Sequence, residues 1–340
     1  MSRLLVLLVL VASSGAALAH HSQVGIFDSR ETIELTGIIK SVSWRNPHGQ
    51  IVIEAPDASG KLLEWDVETA SISILRNRGV DGSSIVVGER VTIAGAPSQR
   101  NLPELLARSV LLPSGYEFTF GSPQAHFPAG KNGRIVGSRA IEADVEAATA
   151  KADGLFRVWS TIMSDPAAFP MFKGGYPLNA EGRAGLARWN PRDNSLLKCG
   201  TKGTPLIMIS PLPMEFVRQG DDILLNIEEY DSRRVIHMAP NAVAPAEHTL
   251  FGFSRGRWDG TTLVVETDHI AAGYFDHEGT PMSEQIKVVE RFTPNADYTR
   301  LDYRITTTDP VNFEKPFDLT RYFVWKPENT VHPYECLDRF

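Results

Sequence analysis

Residues 252–267 read GFSRGRWDGTTLVVET, and this stretch decides the fold class. Asp259-Gly260 between Trp258 and Thr261 is a strong type I′ signal, the turn whose twist matches two antiparallel strands. With those two residues as the loop, Gly256, Trp258, Leu263 and Val265 share one face. Arg255, Arg257, Val264 and Glu266 share the other, with Glu266 diagonal to Arg255. The flanking sequence repeats the pattern. Ile223 to Met238 reads as a second hairpin turning at Asp231-Ser232, so that Glu229 faces Arg234, Ile227 faces Ile236 and Leu225 faces Met238, while Asn226, Glu228 and His237 fall on the opposite face. Alternating runs at 286–293, 298–307 and 318–325 extend the set. Six or more antiparallel strands predict a larger antiparallel, lipocalin-like β-barrel over 153–340, its interior either a cavity for a small apolar molecule or a solid core.

Upstream, the signals are again short strands. Thr32 to Trp44 alternates around Ile33, Leu35, Ile38 and Val42, with a bend or bulge expected at Gly37. Asn46-Pro47-His48-Gly49 is a turn, followed by strands at 50–54, 62–67 and 85–94 and a single short helix at 71–78. Five or so strands with one helix over 20–113 suggest a small OB-like N-terminal barrel, an open sandwich being the alternative. Residues 114–152 read as a linker, rich in Pro, Gly and aromatics, leading into a helix at 140–152. Asn179 is a plausible N-cap for another short helix ending before Pro191. The architecture expected is mainly β with a few short helices.

The chain has 340 residues, 42% of them hydrophobic, which is enough for two cores. A net charge of -7 without any dense Lys/Arg block argues against a nucleic-acid partner. Arg3, the apolar run Leu4 to Val11 and the small-x-small site Ala17-Leu18-Ala19 read as a signal peptide over 1–19. That run is too short to span a bilayer, so the expectation is a periplasmic or secreted protein with no membrane insertion after cleavage. In an oxidising compartment, Cys199 and Cys336 are expected to form a disulfide, the alternative being two separate buried thiols.

The order Ala19-His20-His21-Ser22, Phe27-Asp28, Thr36-Gly37 and Trp44-Arg45-Asn46-Pro47-His48 resembles a family of secreted bacterial proteins of unknown function, marked by that His-His-Ser opening and a Trp-x-Asn-Pro-His segment. The resemblance covers residues 19–113. Three later stretches (198–205, 252–267 and 289–292) look similar to the C-terminal region of related uncharacterised proteins. The resemblance implies a periplasmic, β-rich architecture and carries no activity.

Three chemistries are open. Cleavage after Ala19 would free an α-amine beside His20 and His21, nitrogen ligands of the kind copper or zinc accepts; His48 would join them if its turn lies close, and His126 is a remoter candidate. Alternatively, the two histidines are polar residues at a frayed end. Gly252-Phe253-Ser254-Arg255-Gly256 matches G-x-S-x-G, but the hairpin that follows denies Ser254 the strand–turn–helix of a nucleophile elbow, although His269, His277 or His332 could supply a base. Inside the larger barrel, Glu229, His237, His248 and Glu266 are the candidate acid–base residues, and Arg234, Arg255, Trp258 and Tyr303 the candidate ligand contacts. Cross-strand ion pairs of purely structural value are the alternative. The expected function is the binding of a small, largely apolar molecule, with a cofactor-free lyase, isomerase or hydrolase and a copper or zinc binder as the alternatives.

Overall fold

The computed structural model describes residues 26–336 except 47, 77–83, 121–124, 129–137, 164, 171–173, 191–199 and 335. The N-terminal strands are β1 (Ile33–Ser43), β2 (Gln50–Pro56), β3 (Leu62–Glu68), β4 (Arg90–Pro97), β5 (Glu104–Leu111) and the short β6 (Glu117–Thr119), with helix α1 (Ile72–Arg76) between β3 and β4. Their order is β3-β2-β1-β4-β5-β6, and β3 also pairs with β5, which closes five strands into a barrel. The closing pair is parallel, from Asp66 opposite Glu104 to Glu68 opposite Leu106. A meander of three strands, a helix and a return to both edges is the OB-type arrangement expected. Period-two burial drives the closure: Leu35, Ile39, Ile51, Ile53, Val67 and Ile93 point inward and are nearly or fully buried. The irregularity in β1 falls at Lys40, not at the expected Gly37. Gly37 instead serves a close crossing, since a Cβ there would overlap the Glu54 carbonyl and lie 2.8 Å from the Cβ of Ala55. β6 lies within the stretch expected to be linker and extends the sheet, burying Phe118 in the N-terminal core.

Beyond it come α2 (Ser138–Lys151), β7 (Val158–Ser160), α3 (Ala180–Arg188), β8 (Met214–Gln219), β9 (Asp222–Ile227), β10 (Ser232–His237), β11 (Phe253–Asp259) and β12 (Thr262–Asp268). A two-stranded ribbon, β13 (Gly273–Tyr274) with β14 (Pro281–Met282), precedes β15 (Lys287–Pro294), β16 (Arg300–Thr308) and β17 (Phe317–Trp325). Nine strands close the larger barrel in the order β10-β11-β12-β15-β16-β17-β7-β8-β9. Every pairing is antiparallel except β10 with β11, where Ile236 meets Ser254 and His237 meets Arg255. That parallel seam is made possible by the long 238–252 connection, which carries the chain back to the starting end. Asn179 caps α3 as expected, its Oδ1 accepting from the Gly182 amide at 2.9 Å. No helix among the described residues is long and apolar enough to cross a membrane.

Both hairpin registers differ from the sequence expectation. In the β11–β12 hairpin Asp259 pairs with Thr262, so the loop is Gly260-Thr261 and Arg255 stands directly opposite Glu266. In β9–β10 Ile227 pairs with Ser232, and Glu228 to Asp231 form a longer connection containing a 3-10 turn. Arg234 therefore faces Leu225, and the expected Glu229–Arg234 pair is not made. Both shifts are by an even number of positions, so the faces survive: Leu225, Ile227 and Ile236 all point inward and are buried.

Candidate functional site

Strand alternation turns Arg291 and Thr293 of β15, Arg300, Asp302 and Arg304 of β16, and Thr320 and Tyr322 of β17 toward the outer wall of the large barrel. With Ala167 they line a groove of about 480 Å³ that also reaches Tyr303 and Arg321. Its guanidinium groups are held in place: Arg291 donates to Asp259 at 2.7 Å, Arg300 to Asp302 at 2.8 Å, and Arg304 to Asp318 at 3.1 Å. Arg300 also lies 3.8 Å over the ring of Tyr322. Hydrogen bonds from Thr306 and Arg304 keep the Asp318 carboxyl below the usual range, and Arg291 does the same for Asp259. The Tyr322 hydroxyl donates to Asp165, which in turn accepts the Ala167 amide at 2.8 Å, so the 165–169 loop is pinned along one side of the groove.

Inside the barrel, Arg234 donates through Nε to Ser254 Oγ at 2.8 Å, through Nη2 to Thr267 Oγ1 at 2.6 Å, and to Glu290. The Tyr303 hydroxyl donates to the other Glu290 oxygen at 2.9 Å. Arg234 is 2% exposed and Glu290 is fully buried, so the network is closed off from the surface, with only Nη1 of Arg234 left without a partner among the described residues. Burial, followed by the charge of Glu290, pushes the Tyr303 hydroxyl well above its ordinary range. Arg321 reaches the Met208 carbonyl at 2.8 Å and Thr161 Oγ1 at 2.7 Å; burial brings its guanidinium down to about 10. Trp159, Phe216, Leu225, Phe292 and Phe323, all buried, fill the space around these groups. Ser254 is 1% exposed and bonded to Arg234 and Thr267, so it is not presented as a nucleophile.

At the barrel end where β9 and β11 begin, two Asp–His pairs flank an aromatic and an arginine. His237 Nδ1 lies 2.9 Å from Asp222 and its ring stacks on Phe253 at 4.6 Å. Arg255 sits 4.7 Å over the same Phe253 and bonds Asp268 at 3.2 Å, and Asp268 lies 2.8 Å from His269 Nδ1. His248 stacks on His269 at 5.3 Å. The Met238 amide and His237 hold Asp222 below the usual carboxylate range. For Asp268, burial opposes ionisation, but the bonds from His269 and Arg255 outweigh it.

The expected residues are therefore distributed over several places. Arg234 and Tyr303 meet in the interior; His237, His248 and Arg255 gather at the rim; Glu266 is exposed on the wall, 3.9 Å from Arg257, and Trp258 is exposed beside Phe156. Glu229 belongs to the opposite end, where its carboxylate takes Lys202 Nζ at 2.6 Å. His48 Nδ1 stands 3.1 Å from the Thr69 carbonyl and 3.6 Å from Glu68, and His126 pairs with Glu34 at 2.9 Å. His20 and His21 lie outside the described residues, as does Cys199; the backbone of Cys336 pairs with that of Asn46 in an isolated parallel β-bridge. Among the described residues no three His, Cys, Asp or Glu side chains are arranged to hold a metal ion. Sequence reading missed Lys202, Asp222, Asp268 and Glu290. Glu290 had a signal: it occupies an inward position between Val288 and Phe292, where a charge demands a buried partner.

Comparison with known families matches residues 8–103, which include most of the small barrel, to DUF6152, a family of unknown function. Comparison with curated proteins finds no match.

Proposed function

We propose that this chain is an exported small-molecule-binding protein whose larger barrel takes its ligand in the groove on the outer wall. The observation that carries the reading is the groove itself: about 480 Å³ lies within the size range of small-molecule sites and is lined by guanidinium groups already oriented by aspartates. Arg291, Arg300 and Arg304 alternate with Asp302, Thr293 and Thr320 as donors and acceptors, which favours a polar molecule bearing hydroxyl or carboxylate groups. The largely apolar guest suggested by the strand pattern finds its space occupied by Trp159, Phe216 and Phe292.

A thermal-shift screen against small carboxylates, phosphates and neutral saccharides tests this, with the Arg300→Ala, Arg304→Ala double variant as control. Stabilisation by one class in the wild type and its loss in the variant is the expected result. A panel that stabilises nothing, or hits indifferent to the variant, overturns the wall site. The reading includes cleavage after Ala19 and a Cys199–Cys336 disulfide. Intact mass of protein recovered from the exported fraction, before and after reduction, checks both: the first nineteen residues should be missing, and reduction should add two hydrogens.

A further inference from the structure

The two barrels meet where the β9–β10 connection of the large barrel, the tail after β17 and helix α1 of the small barrel converge. Glu228 is fully buried there. One of its oxygens accepts the His332 amide at 3.1 Å; the other, Oε1, has no partner among the described residues. Asn46, from the Trp44–His48 segment, donates to the Tyr334 carbonyl at 2.5 Å and to Ser73 Oγ at 3.4 Å, while its own Oδ1 is likewise without a donor. Arg76 of α1 reaches the Pro333 carbonyl at 3.3 Å, and Asp231 takes the Tyr334 amide at 3.0 Å. The connection is held in an uncommon shape, Tyr230 and Asp231 both having left-handed backbone angles.

We propose that this contact is a proton-operated latch, in which protonated Glu228 lets the two barrels seat against one another and its ionisation loosens them. Two buried acceptor oxygens, Glu228 Oε1 and Asn46 Oδ1, have no donor among the described residues, the Ser73 hydroxyl serving the Glu228 carboxyl only in part, and a carboxyl proton turns Glu228 from an acceptor into a donor. An ionised carboxylate in the same place carries a full charge in a site closed to water. The charged surroundings leave that cost standing. Burial pushes the Glu228 carboxyl up to about 7, against the Ser73 hydroxyl, the His332 amide and Arg76, which favour the ion; Asp231 adds to the rise. The neighbouring Glu229 is engaged by Lys202. Tyr230 and Tyr334, ring to ring at 4.8 Å, are pushed up by burial and by Glu229, so they stay neutral. Burial moves His332 down, toward its neutral form.

The test uses the full chain and follows inter-barrel separation by small-angle scattering and by proteolysis across 113–157 between about pH 5 and about pH 9. Wild type is expected to be compact and resistant at the acid end, and to open with a midpoint near the titration of Glu228. Glu228→Gln, which keeps the carboxyl shape without the charge, should remain compact throughout. Across the range the opening constant should change on the order of a hundredfold in wild type and be nearly flat in the variant. Ser73→Ala removes a bond that favours the ion and should move the wild-type midpoint to higher pH, a shift that mere structural damage would not give. If Glu228→Gln fails to fold, infrared difference spectra of the wild type decide, through a protonated-carboxyl band that must titrate together with the opening. A wild type indifferent to pH, an unchanged profile in Glu228→Gln, or a band that titrates elsewhere overturns the latch.

Discussion

Arg234 and Glu290 form a charge pair inside a barrel filled mainly by aromatic and aliphatic side chains, and each depends on the other for its place there. Removing one partner leaves an uncompensated buried charge, which costs far more than the pair contributes. Arg234→Ala should destabilise the fold by about 3–5 kcal/mol in urea titration, whereas Arg234→Met combined with Glu290→Leu should recover most of that loss. Equal losses in the single and double variants would show that packing volume, and not charge, is what Arg234 supplies. At this scale the sequence was partly legible. An arginine at an inward position in β10 and a glutamate between Val288 and Phe292 each announce a buried partner, but partners 56 positions apart cannot be matched until the strands have an order.

Among the elements, the parallel seam between β10 and β11 is the least expected and the most constrained. A Cβ on Gly256 would lie 2.5 Å from Met238 Sδ and 2.6 Å from Ile236 Cγ2, so the seam closes only around a glycine. Gly256→Val should lower stability by about 1–3 kcal/mol through overpacking, read as a lowered thermal midpoint. Gly260→Ala meets open space and tests backbone strain alone at its φ of +61°, with an expected loss of about 1 kcal/mol. The hairpins explain what could be read at this level. Hydrophobic alternation gave the correct inward faces of β9, β10, β11 and β12, because period two is a property of the strand itself. Turn chemistry alone placed both loops wrongly, because neighbouring strands in the closed barrel set the register as much as the turn does.

For the whole molecule, pH is the variable that links the barrels. Glu228 ionises at an ordinary 4.5 when unfolded and at about 7 when buried. Its contribution is fully present below about pH 4.5 and is lost as pH rises through about 7, a difference on the order of 3 kcal/mol. Glu215, raised by burial, adds to the same slope. His332 acts in the opposite sense: lowered by burial from 6.5, it takes stability away as pH falls below that value. The difference between wild type and Glu228→Gln in denaturant titrations isolates the glutamate contribution. Stability that rose with pH in that difference would contradict the assignment.

By itself the sequence determined the β class, the two-barrel division, the OB-like meander with its single helix, and the Asn179 cap. All of these follow from local period, turn residues and capping chemistry, which act over a few positions. Tertiary structure decided the rest: that β10 and β11 run parallel, that the barrel interior is filled by Arg234, Glu290 and Tyr303 among aromatic rings, and that the candidate residues separate into interior, rim and interface. It also decided that Asn46 and Glu228, far apart in the chain, are both buried against Ser73 and the 332–334 tail. Such pairings depend on which strands become neighbours when a sheet closes, and closure is a property of the assembled surface and not of any one segment.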